Sequence, residues 1–585
     1  MREYDSEVMT NAEISAAFTM IGKILDLMGE NPFRVRAYER AAMTISSLPR
    51  ELSDIYVEGG MKALREIAGI GEDLGNKIEE MVTTGELKYL DEMKKKIPEG
   101  LFAVMQIEGM GPKKTKMVWE KLKVKNVADL EAAAKAGKLA KLPKWGELSE
   151  KKVLQGIATR KSMGDRVPLS AALPLAEQLV AKLKATKLCG QVAIAGSMRR
   201  RSETIGDIDI LATSTKPAKV MEAFCGLPEV KRVLSQGPTK SSVNLHAGIQ
   251  CDLRVVEEDV FGAALHYFTG SKAHNVHLRT MGVKAGITIS EYGVHKGSAE
   301  KKGKLLASKT ESDVYASLKL PYIAPELRED RGEIDAARAG TLPKLIEEKD
   351  IKGDLHLHTD FSDGGADAIT MAKAAYAKGL EYIAITDHGS GMGMVRGLKE
   401  NNLAQYLKMI EKARKAVPQL KILSGVEVDI QPDGSLYLSD KILRELDWVV
   451  AAVHSQFKQS SEETTARLLR AIENPYVRAM AHPTGRLIGQ RPGIEFSVEQ
   501  VFTAAKKRGV AMEINASPPR QDLRDIHCKR AKEMGVMLTM GSDAHAPEEL
   551  DMRFGIMQAR RGWIEKGDVM NTKSWSSFEK WLRSH

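Results

Sequence analysis

The chain has 585 residues, 43% hydrophobic and 28% charged, with a formal net charge of +9; one core does not serve that length, and about three to five domains are expected. No apolar run approaches the roughly 18 residues of a membrane span, and the charged start MREYDSEV does not read as a signal peptide. Cys189, Cys225, Cys251 and Cys528 lack CxxC spacing, which excludes a cysteine zinc site and suits a reducing cytosol rather than a disulfide scaffold.

Residues 1–160 have amphipathic spacing and few strand formers, and are predicted as helices. They contain an internal repeat, LREIAGIGEDLGNKIEEMV (Leu64 to Val82) followed by VMQIEGMGPKKTKMVWEKL (Val104 to Leu122). Ile67, Gly69, Gly71 and Ile78 recur as Ile107, Gly109, Gly111 and Val118. A weaker third copy, LPKWGELSEKKVLQGI, puts Leu142, Gly146 and Val153 at matching offsets. In the two strong copies an apolar residue ends one helix, G-x-G turns the chain, and a new helix begins with free N–H groups suited to phosphate. Residues 101–200 carry 20 Lys and Arg against 8 Asp and Glu, a local excess that suits a phosphate backbone. The unit resembles the helix-hairpin-helix of DNA repair proteins, which grips the backbone without reading bases.

From about residue 190 the period changes to two, in QVAIAGSMRRRSETIGDIDILAT and IQCDLRVVEE. Asp207 and Asp209 share one strand face, with Ile208 and Ile210 opposite; Asp252 and Arg254 share a face of the later strand. Three converging carboxylates are costly unless cations neutralise them, and two divalent ions there would serve in-line phosphoryl transfer. The turn at Gly196-Ser197, followed by Arg199 and Arg200, supplies a glycine turn and donors suited to a triphosphate. G-S followed by D-x-D resembles the nucleotidyltransferase superfamily.

LHYFTGSKAHNVHLR (Leu265 to Arg279) and SEYG (Ser290 to Gly293) narrow the resemblance to family X DNA polymerases, the group of DNA polymerase beta, over about residues 10–325. That resemblance implies that Tyr267 and Phe268 lie against the incoming sugar near Gly270. It also implies that Asn275 meets the minor groove of the nascent base pair and Arg279 the template strand. Lys77, six residues after Gly71, falls where the family's lyase nucleophile lies; an amine there could form a Schiff base with an abasic-site sugar. Asp73 stands where many relatives have a supporting lysine, and Met117 fills the position of Lys77 in the second repeat.

After a charged, irregular stretch (324–352), seven apolar runs alternate with helical segments: GDLHLH, YIAITDH, KILSGVEV, WVVAAVH, VRAMAH, VAMEINA and MLTMGSD. This is the signature of β/α units, whose strand ends gather at one mouth. The ends collect His356, His358, Asp363, His388, Glu427, His454, His482, Asp543 and His545, and include six of the chain's 13 histidines. Nine ligands exceed what one tetrahedral ion needs, so two or three metals are expected, zinc, manganese or ferrous iron. The pattern HxH…D…DH…E…H…H…DxH resembles the PHP (polymerase and histidinol phosphatase) family, which implies a distorted seven-stranded barrel that hydrolyses phosphoesters. Arg486 and Arg520, following strand ends, are candidate phosphate contacts.

The expected fold is therefore multidomain α and β. Its parts are a helical 5′-phosphate-binding domain (1–90), a second helix-hairpin-helix subdomain (91–165), an α+β nucleotidyltransferase palm (166–258) and a thumb (259–323). A linker (324–352) and a distorted (β/α)7 PHP barrel (353–585) follow. The expected function is DNA repair: short-gap filling with Mg²⁺ or Mn²⁺ on Asp207, Asp209 and Asp252. Alongside it are expected 3′-5′ exonuclease or 3′-end processing in the barrel, abasic-site cleavage, and 5′-deoxyribose-phosphate lyase chemistry at Lys77. Expected partners are gapped or nicked DNA and deoxynucleoside triphosphates, without a membrane. The chain is expected to act as a monomer in a bacterial or archaeal cytoplasm. An RNA nucleotidyltransferase would share G-S and D-x-D, but HYFTG and the paired hairpins oppose it; a DNA-end scaffold would need broken ligand sets, and none is found.

Overall fold

Alternation of period in the sequence becomes alternation of architecture in the computed structural model. It describes every residue except 1–8, 10, 47, 49, 68, 106, 108, 144, 164–165, 299–301, 390–396 and 585. Contacts divide the chain into two compact units, residues 1–164 with 489–491, and residues 165–488 with 492–585. Among the described residues no helix is long and apolar enough to cross a membrane.

Among the described residues of 1–164, every regular element is a helix. Ile14, Phe18, Ile21 and Leu25 on the helix Asn11–Met28 recur at the three-to-four-residue spacing of one buried stripe. The same apolar cluster continues through Leu74, Ile78, Val104, Val118, Leu130 and Val153. The two subdomains expected on either side of residue 90 thus share one core. Both strong repeats adopt one backbone geometry: Gly69 and Gly109 each have φ +83°. Gly71 and Gly111, at φ −86° and −85°, cap the helices Glu72–Thr84 and Pro112–Leu122. The bonds Ile70 N–H to Ile67 O (3.0 Å) and Gly75 N–H to Gly71 O (2.8 Å) recur as Met110 to Ile107 (2.9 Å) and Thr115 to Gly111 (2.9 Å). The weak third copy repeats them as Trp145 to Leu142 (3.0 Å) and Glu150 to Gly146 (3.1 Å).

In the second unit, five strands form the palm sheet: β1 (Val192–Ile194), β2 (Asp207–Thr213), β3 (Val230–Gln236), β4 (Lys240–Leu245) and β5 (Gln250–Val256). Their order is β1-β2-β5-β4-β3, with only β2 and β5 parallel. The period of two buries Ile208, Ile210, Cys251 and Leu253 on one face, under the helices Leu169–Ala185 and Pro217–Cys225. The helix Phe261–Thr269 covers the opposite face through Phe261, Ala264 and Leu265 against Leu211. A second helix, Lys272–Lys284, leads to an antiparallel sheet of β6 (Ile287–Ser290), β7 (Gly293–Gly297) and β8 (Lys302–Ala307).

Residues 324–352, expected as a linker, are instead a packed connector. Arg328 and Glu333 are fully buried, and Leu327, Ile334 and Ala337 join Leu278 and Tyr315 in a small core. The stretch is charged and irregular in sequence, and its buried charges are paired: Arg328 with Glu311 at 2.6 Å, Glu333 with His274 at 2.6 Å.

The seven apolar runs become seven parallel strands: β9 (Gly353–Leu357), β10 (Tyr382–Ile385), β11 (Lys421–Asp429), β12 (Trp448–Ala452), β13 (Ala479–Met480), β14 (Ala511–Asn515) and β15 (Leu538–Gly541). They pair in chain order. The segment after β15 returns to β9 through Asp543 N–H to His356 O and His358 N–H to Ala544 O, both 2.8 Å, so the barrel closes. The barrel-side helix Arg553–Arg561 sends Phe554 into the apolar core of the palm and Arg560 to Glu326 of the connector at 2.8 Å.

Candidate active sites

The parallel register of β2 and β5 sets Asp209 directly beside Asp252, with Asp207 one alternation earlier on the same face. Asp207 is exposed and the other two half-buried. Burial, reinforced by the Asp207 and Asp252 carboxylates, pushes Asp209 up to about 7. Lys240 Nζ, 3.1 Å from Asp252 Oδ2, is the one ion-pair partner the triad has among the described residues. Divalent cations fit this crowded carboxylate set, because they would relieve the repulsion that raises Asp209. Gly196 is required by the same geometry: at φ +61°, an added Cβ would collide with the Asp209 carboxylate.

The two arginines after that turn differ. Arg199 is spent in a fork to Glu311 (2.8 and 2.6 Å) and in a bond to Thr269 Oγ1 (2.7 Å). This separates it from the triphosphate role expected for it. Arg200 uses Nε on Glu329 (3.1 Å) and Nη1 on Thr269 O (2.5 Å). Ser197 sits in the same short turn, Gly196–Arg199. The rings of Tyr267 and Phe268 meet edge-on at 5.2 Å, and the Arg254 guanidinium lies 4.4 Å over Phe268. Asn275 donates to Tyr267 O at 2.8 Å, and its Oδ1 is a buried acceptor without a partner. Arg279, one turn on, is exposed. Gly270 (φ +69°) closes the helix that carries Tyr267 and Phe268.

In the helical unit, the Lys77 amine is bonded to the Asp73 carboxylate and lies 4.9 Å over the Tyr89 ring. Gly71 and Gly111 have open space where a Cβ would sit, as a close approach to a ligand backbone requires.

The barrel gathers all nine expected ligands into overlapping groups. These are His358, Asp363, His388 and His545; His356, His358 and Asp543; His356, Glu427 and His482; and His388, Glu427 and His454. Glu427 is the hub: His388 Nδ1 is 2.9 Å from its Oε2, and His454 Nε2 and His482 Nε2 are 3.1 and 2.7 Å from its Oε1. Burial opposes its charge, but His454, His388 and His356 hold the Glu427 carboxyl well below the usual range. Burial likewise opposes a charged His388, yet Glu427 and Asp363 raise it to about 11, while burial takes His358 down to about 3. His356 Nε2, both nitrogens of His358, and His482 Nδ1 are buried without a hydrogen-bond partner. Orphaned imidazole nitrogens around a shared carboxylate fit two or three metal ions. His482 and Asp543 have positive φ, 28° and 55°, backbone strain of order 1–3 kcal/mol each that packing must hold in place.

The sequence missed the groups that aim these ligands. Glu513 accepts from His356 Nδ1 and from His482 N–H, both at 2.6 Å; Asp429 accepts from His454 Nδ1 at 2.7 Å. The two ring bonds leave Nε2 of His356 and of His454 for a metal, and the bond to the His482 N–H holds that residue's backbone. Asp387 anchors Thr359 N–H (2.8 Å) and the Ser362 hydroxyl (2.6 Å) in the loop before Asp363. A signal existed: the run VAMEINA supplied no ligand, and its Glu513 is the orienting carboxylate. Of the two arginines expected to touch phosphate, Arg520 does face the metal ligands, 3.2 Å from Asp543 Oδ2. Arg486 turns away: it pairs with Glu203 of the palm at 2.8 Å and bonds Arg520 O and Gln521 O.

A nucleotidyltransferase palm and a multi-metal phosphoesterase barrel on one chain define a polymerase with a second, hydrolytic site. Comparisons agree. Residues 9–87 match the helix-hairpin-helix domain, 264–329 the DNA polymerase beta thumb, and 354–517 the PHP domain. The last strand, β15, and the segment after it that carries Asp543 and His545 lie beyond that match but close the barrel. The chain is 36% identical over 578 residues, 98% of its length and 100% of the relative's, to the DNA polymerase/3′-5′ exonuclease PolX of Bacillus subtilis (strain 168). Its barrel region is 36% identical over 203 residues to a probable phosphatase of Thermoanaerobacter sp. (strain X514), covering 33% of this chain and 78% of that one. A probable phosphatase of Acetivibrio thermocellus is 34% identical over 210 residues, 34% and 80% of the two chains. The chain belongs to the family X DNA polymerases that carry a C-terminal PHP domain, the PolX type.

Proposed function

We propose that the chain is a DNA repair polymerase that fills short gaps and trims 3′ ends. The carrying observation is the Asp209–Asp252 pairing across β2 and β5, in one chain with a complete nine-ligand barrel. Bound to Asp207, Asp209 and Asp252, Mg²⁺ or Mn²⁺ would supply charge neutralisation for in-line nucleotidyl transfer. Gly196 lets the backbone approach the triphosphate, Arg200 offers it the free edge of its fork, and Tyr267 and Phe268 crowd the sugar's 2′ position. Asn275 and Arg279, a turn apart on one helix face, are aimed at the base pair and template. Gapped or nicked DNA and deoxynucleoside triphosphates are the substrates, and the glycine turns of the helical unit take the DNA backbone.

The nine barrel ligands would hold two or three Zn²⁺, Mn²⁺ or Fe²⁺ ions, which supply Lewis-acid activation for phosphoester hydrolysis. Glu513 and Asp429 fix the imidazoles that hold them, and Arg520 contacts the scissile phosphate. Abasic-site cleavage falls within the same chemistry. The lyase reading of Lys77 rests on the amine alone, and the Asp73 ion pair opposes it, since a Schiff-base nucleophile must first lose that partner. The test is a labelled primer on gapped DNA with Mn²⁺: it should lengthen when nucleotides are present and shorten when they are withheld. A primer unchanged in both conditions would overturn the proposal.

A further inference from the structure

A barrel side chain, that of Arg561, reaches the Arg200 turn of the polymerase site. Arg561, 8% exposed, ends the helix Arg553–Arg561 that Phe554 plugs into the palm core. Its Nε and Nη2 clasp Asp525 Oδ2 at 3.1 and 2.8 Å, and Arg331 of the connector joins the same oxygen at 2.9 Å. The remaining donor, Nη1, bonds two groups at once: Arg200 O at 2.7 Å and Glu329 Oε1 at 2.9 Å. That same Glu329 oxygen receives Arg200 Nε at 3.1 Å.

From this chain of contacts we infer that Arg561 is a positioning residue of the polymerase: acting through Glu329, it orients the Arg200 fork toward the nucleotide's phosphates. The inference rests on the nucleotide role proposed for Arg200. A free arginine side chain samples many rotamers, and its planar fork binds phosphate well only when it is pre-aimed. Here Thr269 O fixes Nη1 and Glu329 fixes Nε, which leaves Nη2 on the outer edge. Glu329 could not hold that geometry alone, because a single carboxylate oxygen shared with no second donor is free to rotate. Arg561 pins it, and Asp525 pins Arg561. Burial disfavours a charged Glu329, but Arg561 and Arg200 keep it ionised. Arg199, by contrast, is fixed by Glu311 within the polymerase half, so the dependence on the barrel is particular to Arg200.

Steady-state single-nucleotide gap filling by the full chain tests this, with 3′-end shortening of single-stranded DNA as the control. Arg561→Lys keeps the charge but loses the fork; Glu329→Gln keeps the shape but loses the charge. Each should raise KM for the nucleotide by about 5- to 20-fold while kcat and the shortening rate stay within about twofold, the mark of lost ground-state binding. An unchanged KM for Glu329→Gln overturns the inference, as does an equal loss of both activities with a lowered Tm. If Arg561→Lys does not fold, Glu329→Gln decides alone. A parent chain that extends no primer overturns the polymerase reading along with this one; a parent that extends, with both variants unchanged, overturns only the role of Arg561.

Discussion

Glu513 belongs to none of the four candidate metal-holding groups among the described residues, yet it holds two of their members, His356 through its ring and His482 through its backbone N–H. Removing such an orienting carboxylate typically costs about 10- to 100-fold in metal affinity. Glu513→Gln should therefore weaken Mn²⁺ or Zn²⁺ binding by that factor in a titration of the metal-free chain; affinity within twofold of the parent would show that the imidazoles are held by packing alone. The nine candidate ligands were legible because they cluster in or just after the ends of the apolar runs. Glu513, inside its run, and Asp429, just past the end of its own, were not, because each draws its role from a histidine on another strand. Arg199 and Arg486 were misread for the same reason: a sequence shows a guanidinium but not that Glu311 or Glu203 already occupies it.

At the scale of elements, the thumb and connector are bound by a buried polar cluster rather than by apolar area alone. His274 bridges Glu333 (2.6 Å) and the Tyr315 hydroxyl (2.9 Å), and Arg328 reaches Glu311. Beside them His266 has a buried Nε2 without a partner, and burial lowers it from 6.5 to about 3. Between those values the unfolded chain takes up a proton that the native state refuses, so stability falls as pH drops through that window, by up to about 1.4 kcal/mol per pH unit. Glu311 adds to the loss at lower pH. Burial opposes its charge, but Arg199 and Arg328 depress it from 4.5 to about 2, so its stabilisation is present above 4.5 and disappears as pH falls toward 2. Melting curves from pH 7 to 4 should show a shallower decline for His266→Asn than for the parent; parallel declines would remove His266 from the account. The catalytic palm strands and the seven barrel strands were legible from period, and the hairpins from their repeat, down to the third turn at Gly146, whereas β3, β4 and β6 to β8 were not read. The connector was not, because Arg328, Glu329, Asp330, Arg331 and Glu333 look like a solvated run until their partners are known.

At the scale of the whole molecule, the sequence showed two chemistries in tandem but not the joint between them. That joint includes single residues spread along the chain: Glu203 of the palm with Arg486 of the barrel, Glu326 of the connector with Arg560, and Phe554 in the palm core. No periodicity encodes such pairings. The two proposed metal sites nonetheless take their candidate ligands from separate sheets, β2 and β5 for one and the barrel strands with their following loops for the other. Two independent metal sites acting on one DNA end would give separable losses, and crossed variants on gapped DNA with a labelled primer measure them. Asp209→Ala should abolish extension and leave shortening within about twofold, while His358→Ala should do the reverse. One substitution that removes both activities from a folded chain would contradict that independence.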